Sequence, residues 1–278
     1  YRFYRNSRNM NRIELGNITK LTPSTWNELT PRQLIYVASQ WQGWKHIELS
    51  KQKGIATAKQ RAIDFSRIAL LQQLLDINPF NIFSPTRRAF NNVAPEQMVD
   101  LLKTTDFIFA ENTLTENKFH KIGKLYGPRS ELKYLRIGEF AYTETAFLRY
   151  HNTGKAEHLN NLCAILYRPI AKGAQFGDVR EAFNPQSIES RIPTISGWSE
   201  AQKQAVLLFY MGCRTKITRT YQKVFEGKKG SKESANWATI IIELAGNKFG
   251  TVNEVEDQYL STILIHLKQL AITAQKQK

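Results

Sequence analysis

Between Ile137 and Tyr167 the sequence permits little besides two helices laid back to back. Phe140, Ala141, Thr145, Phe147 and Leu148 recur at helical spacing up to Asn152. Leu159, Leu162 and Leu166 repeat the i, i+3, i+7 pattern of one buried stripe, with Ile165 adding to it. Asn152-Thr153-Gly154 separates the two runs, and so short a turn forces antiparallel neighbours. Cys163 falls beside the stripe as a small apolar filler, and Arg168-Pro169 ends the second helix.

The same reasoning extends along the chain. Thr30-Pro31-Arg32-Gln33 offers an N-cap, a proline at the first helical position and a glutamine placed to reach back to the cap. Leu34, Val37, Ala38 and Trp41 follow on one face. A second helix is expected from about Ile55 to Ile77, with Ala58, Ala62, Phe65, Ile68, Ala69, Leu71, Leu74 and Leu75 inside. Residues 78–94 read as a long packed connection, and a short helix follows from Pro95. Residues 106–128 fit either a strand pair or irregular structure with one turn of helix. A long helix is expected from Trp198 to Phe225, and Thr251-Val252-Asn253-Glu254 is a capping box for a single last helix. The fold class is therefore mainly α: a multi-helix, bundle-like globule of about seven to nine helices, with a small β element near 106–135. The expected organisation is a basic N-terminal arm over 1–22, a helical lobe over 23–169, a long connection over 170–197, and a C-terminal helical lobe over 198–278.

The apolar share is 42%, enough for a real core. No stretch reaches the roughly 18–20 apolar residues of a membrane helix, and no membrane partner is expected. Cys163 and Cys213 both sit in apolar helical contexts and read as buried free thiols.

Motifs that carry chemistry do not emerge. The five histidines include no HExxH and no i, i+4 pair, and neither GxSxG, CxxC nor GxGxxG occurs. GKKGSK at 227–232 lacks the spacing of a phosphate loop and reads as a solvated turn. Glu139 and Glu144 lie five apart on one helix and face different sides, unlike an acid/base dyad. No catalytic residue, cofactor or metal is expected. Trp41 and Trp44 share a helix face, which fits core packing or an aromatic docking patch.

Charge is the remaining signal. Lys and Arg number 39 against 24 Asp and Glu, a net +15, which favours nucleic acid, an acidic protein surface or an anionic membrane, or else reflects a solvated surface biased toward Lys. In the expected arm, Arg2, Arg5, Arg8 and Arg12 alternate with aromatic groups such as Tyr4, a combination that grips phosphates and bases or an acidic neighbour. Lys216, Arg219 and Lys223 form a stripe along the long helix, continued by Lys228, Lys229 and Lys232. No helix-turn-helix, zinc-finger or RRM signature accompanies them, so contacts with nucleic acid would be to the phosphate backbone.

Four stretches carry a resemblance: TWNELTPRQLIYVA (25–38), DFIFAENTLTENKFHKIGKLYGP (106–128), LRIGEFAYTETAFLRYHNTGKAEHLNNLCAILYRP (135–169) and NWATIIIELAGNKFGTVNEV (236–255). In this order they resemble uncharacterised proteins of the tail or neck gene regions of Bacteroidetes phages and prophages. The resemblance implies a non-enzymatic virion component or tail-assembly factor. Its partners would be other phage structural proteins in an oligomeric assembly, and its location the virion, or the host cytoplasm during assembly. The alternative expectation is a nucleic-acid-binding protein using the arm and the basic stripe.

Overall fold

The computed structural model describes residues 2–5, 10–51, 56–78, 80–225, 237–246 and 249–276; for 2–5, 45–51, 56–63 and 275–276 it describes the backbone alone. In chain order the elements are β1 (Arg2–Arg5), β2 (Asn11–Leu15), β3 (Ile18–Thr22), α1 (Pro31–Lys51), α2 (Ala56–Leu74), α3 (Pro85–Asn91), α4 (Pro95–Lys103), α5 (Asp106–Phe109), β4 (Lys121–Ile122) and β5 (Leu125–Tyr126). They continue with α6 (Ile137–Thr153), α7 (Ala156–Leu166), α8 (Ile188–Ser196), α9 (Glu200–Thr220), α10 (Gln222–Phe225), α11 (Trp237–Leu244), α12 (Val252–Glu256) and α13 (Leu260–Lys276). Nine of these helices reach eight residues or more, so the fold is mainly α, and β4–β5 is the small β element expected between 106 and 135.

The chain divides into two compact units. One comprises Tyr1–Leu114 with Glu200–Leu208, the other Thr115–Ser199 with Phe209–Lys278. This division does not follow the lobes expected on either side of 170–197. That connection is itself partly structured, since α8 lies inside it.

In the first unit, the segment expected to be an arm is a three-stranded antiparallel sheet in the order β1-β2-β3. Phe3 pairs with Ile13, and Ile13 with Lys20. Gly16 and Asn17 make the two-residue turn between β2 and β3, with Gly16 at φ 59°, a conformation glycine adopts without a Cβ penalty. Alternation along β2 sends Ile13 and Leu15 into a core with Leu71, Leu75, Ile77, Phe90 and Leu101. Each such burial is worth roughly 1.5–3 kcal/mol, which ties β2 to the helices.

Helix α1 starts as its sequence predicts. The Thr30 N–H donates to Gln33 Oε1 at 2.9 Å, and the Gln33 N–H donates to Thr30 Oγ1 at 3.3 Å. Gln33 Nε2 also donates to the Leu74 carbonyl at 3.1 Å, satisfying the end of α2. Trp41 meets Trp26 edge to face at 5.7 Å and Trp44 meets Phe109 at 5.2 Å, so both serve packing within this unit. On α2, Leu71 and Leu74 are buried, but Phe65 is exposed and does not belong to the inner stripe.

In the second unit, α6 and α7 form the expected hairpin. Gly154 caps α6 at φ 67°, and Phe140, Leu159, Leu162 and Cys163 are fully enclosed. Thr145, expected inside, is exposed. Both cysteines are free and buried. The single last helix expected after Thr251 is two helices. Thr251 and Glu254 do form a capping box, but it opens only α12. The backbone then pairs with residues before α6: Ile137 N–H donates to the Gln258 carbonyl at 2.9 Å and Leu260 N–H to the Leu135 carbonyl at 2.8 Å. Those two bonds flank the break at 257–259, where the chain leaves helical conformation between α12 and α13. The long helix expected from Trp198 begins at Glu200, and Trp198 packs edge to face on Tyr167 at 5.2 Å.

Candidate functional site

Among the described residues, a buried constellation of charged side chains lies in the second unit, around the end of α7. There the chain leaves the helix at Tyr167 and pairs back on itself. Ala171 N–H donates to the Val179 carbonyl at 2.8 Å, and Glu181 N–H to the Pro169 carbonyl at 2.9 Å. This pairing brings Arg168 and Arg180 together over Glu139 of α6. Tyr126 of β5 bonds Arg168 in both directions through the backbone, at 2.7 and 3.0 Å, fixing the other side.

All three side chains are withdrawn from water. Glu139 Oε1 lies 2.8 Å from Arg180 Nη1 and 2.8 Å from Arg168 Nη1. Arg180 also donates from Nε to Asp178 Oδ1 at 2.8 Å, from Nη2 to Asp178 Oδ2 at 2.7 Å, and from Nη1 to the Leu166 carbonyl at 2.7 Å. Arg168 donates to the carbonyls of Glu181 and Ile165 at 2.8 and 3.2 Å. Burial alone would lower the Arg180 guanidinium, but Glu139 and Asp178 outweigh it and hold the group above its ordinary value. Burial dominates at Arg168, which is held lower. Burial alone would raise the Asp178 carboxyl; hydrogen bonds and charge from Arg180 outweigh that and keep it below its usual range.

A second buried pair sits on the other side of α6. Tyr210 Oη donates to Glu144 Oε2 at 2.6 Å, and Arg214 Nε donates to Glu144 Oε1 and Oε2 at 2.8 and 3.0 Å. Burial, then the Glu144 charge, push the Tyr210 hydroxyl well up. Glu139 and Glu144 thus face different sides, as their spacing implies, and each carboxylate is held by arginine. Bidentate guanidinium–carboxylate contacts fix geometry. What this arrangement does is lock the 168–181 backbone onto α6.

Beside the first network lies a cleft of about 490 Å³, lined by Tyr134, Arg136, Phe176, Phe183, Glu256 and Tyr259 among others. The Arg136 guanidinium stacks 4.0 Å above the Tyr259 ring and donates to the Asp257 carbonyl at 2.7 Å. Among the described residues, no three His, Cys, Asp or Glu side chains come together as a metal site.

The residues singled out from the sequence are not gathered here. Arg2, Tyr4 and Arg5 belong to β1 through their backbone, and their side chains, like all of Arg8, lie outside the described residues. Arg12 is on β2 and pairs with Glu14 at 3.2 Å. Lys216 is on α9, 2.9 Å from Glu131. Arg219 is exposed one turn further on, and Lys223 is exposed on α10, beyond the end of α9 at Thr220, so the stripe crosses a helix break. Lys228, Lys229 and Lys232 lie outside the described residues. Sequence reasoning missed Arg168, Asp178 and Arg180. The Asp-Val-Arg spacing at 178–180 is the one local signal; the partners at 139 and 168 come together only through the fold.

Comparison with known proteins finds no matching family model, no matching curated protein and no matching solved structure.

Proposed function

We propose that this chain is a structural or assembly protein of a phage tail or neck, acting through protein–protein contacts. One observation carries the reading beyond the four resembling stretches. Phe80, Ile82 and Phe83 are 90%, 62% and 74% exposed on the connection between α2 and α3. They are held there by two successive side-chain turns. The Phe80 N–H donates to Asn78 Oδ1 at 2.9 Å, and the Phe83 N–H donates to Asn81 Oδ1 at 3.2 Å. This connection was expected to be packed. Large apolar side chains set out in water beside these hydrogen bonds favour a partner surface, since clustered exposed apolar groups mark interaction sites.

The test is co-sedimentation of the tagged chain with particles made from its own gene cluster, for the wild type and for Phe80→Ser with Phe83→Ser. The double variant should keep its thermal stability, because neither ring is packed, and should lose particle association. Full association by the double variant would remove the support this loop gives. The second reading, phosphate-backbone binding to nucleic acid, has the exposed Arg219 and Lys223 in its favour.

A further inference from the structure

A groove of about 440 Å³ opens in the second unit between residues 131–135, the last turns of α9 and the first turn of α13. Its floor is apolar: Leu132, Leu135, Cys213, Leu260 and Leu264 are all buried. Ile217 and Tyr221 form one wall, and Tyr134 with Tyr259, ring centres 6.2 Å apart, form the other.

Two features set it apart from an ordinary surface crevice. The first is its backbone. Glu131, Leu132 and Tyr134 have φ of 61°, 54° and 68°, left-handed values that side chains with a Cβ rarely adopt. Each is strained and persists only where the surroundings impose it. Here Leu132 N–H donates to the Arg129 carbonyl at 3.0 Å and Leu135 N–H to the Leu132 carbonyl at 3.1 Å. The strained turn puts Leu132 on the floor and Tyr134 on the rim.

The second feature is charge at one end. Glu131 Oε1 lies 2.9 Å from Lys216 Nζ, and its Oε2 lies 4.0 Å from Lys133 Nζ. Both lysine side chains are more than half exposed. Among the described residues lining this groove, two lysines share one carboxylate, which leaves one positive charge at the mouth. The hydrogen bond from Lys216 holds the Glu131 carboxyl below its usual range, so that balance holds at neutral pH.

We propose that this groove binds a small amphipathic anion, with its apolar body on the leucine floor and its anionic head at Lys133 and Lys216. A preformed apolar groove of this volume with a few polar groups at one end matches the construction of small-ligand sites. The proposal does not depend on the assembly reading.

The test uses the full chain with anilinonaphthalene sulfonate as fluorescent probe, and decanoate and decanol as competitors. The probe should saturate at one site per chain and be displaced by decanoate. Thr220→Trp, placed on an exposed rim position, should fill the groove and abolish saturable binding while the circular dichroism spectrum and thermal midpoint stay unchanged. Ile217→Trp should do the same from the wall. Lys133→Ala with Lys216→Ala should weaken decanoate by about tenfold, the loss expected for a charge-assisted contact, and leave decanol unaffected. The exposed-loop variant Phe80→Ser with Phe83→Ser should bind as the wild type does. No saturable probe binding, or binding that survives both tryptophan variants, would overturn the proposal. So would equal losses for decanoate and decanol in the lysine variant, since the head would then play no part.

Discussion

Arg180 makes its contacts from a side chain with no exposure, and its value to the fold lies in what its removal would leave behind. A buried pair is close to neutral against an apolar replacement, but deleting one partner strands the other charge. Glu139→Gln leaves Arg168 and Arg180 facing each other with their shared carboxylate gone, so it should lower stability by about 3–5 kcal/mol in urea titrations. A loss below about 1 kcal/mol, the range of exposed pairs, would mean that water reaches the network. Asp178 adds a pH signature. Its folded-state carboxyl is held below the ordinary value, so its contribution is present above about pH 4, the unfolded value, and is lost as pH falls through the folded one. Asp178→Asn should therefore be less stable than the wild type at neutral pH, and the gap should close in acid. Guanidinium denaturation at a series of pH values between neutrality and the acid range would trace it. None of this was legible at positions 139 and 168, because burial of a charge depends on partners from elsewhere in the chain.

The elements that the sequence announced are those whose signals are local. The α6–α7 hairpin needs only its apolar stripes and a short link, which is Gly154-Lys155 because α6 runs on through Thr153, and α1 needs only its cap. Leu162→Ala should cost about 2–5 kcal/mol, from lost transfer energy and the cavity left behind, and Thr30→Ala about 1 kcal/mol, both read from thermal or urea unfolding. Intact stability in Leu162→Ala would move this face out of the core. Elements shaped by distant backbone were misread. The break between α12 and α13 is made by bonds to Leu135 and Ile137, which no window around Thr251 contains. The N-terminal sheet was legible in part: Gly16-Asn17 is a two-residue hairpin turn, and Ile13 and Leu15 alternate with Arg12 and Glu14. The arginines between them carry a charge signal that overlies that period of two. Phe65 falls on the helical stripe by spacing alone, yet faces water.

At the scale of the whole molecule, a net charge of +15 favours attraction to nucleic acid, and its salt dependence tests that reading. Anisotropy titrations with duplex DNA at about 50 and about 200 mM salt should show unspecific binding that collapses at the higher concentration. A sequence-selective complex with a shallow salt slope would put nucleic-acid binding ahead of assembly. The order of the chain through its two units has a different consequence. The first unit is completed by Glu200–Leu208 of α9, where Ala205 and Leu208 are buried, and the 85 residues of 115–199 intervene. On a ribosome moving at about 5–20 residues per second, roughly 4–17 s pass between synthesis of Leu114 and synthesis of Glu200. For that interval the nascent N-terminal segments lack the α9 residues that complete their unit, while α6, α7 and α8 emerge behind them. The first unit is thus completed only after most of the second has been made, although the second still waits for α13, and slowing translation between 115 and 199 should lengthen the first unit's exposure to chaperones and proteases.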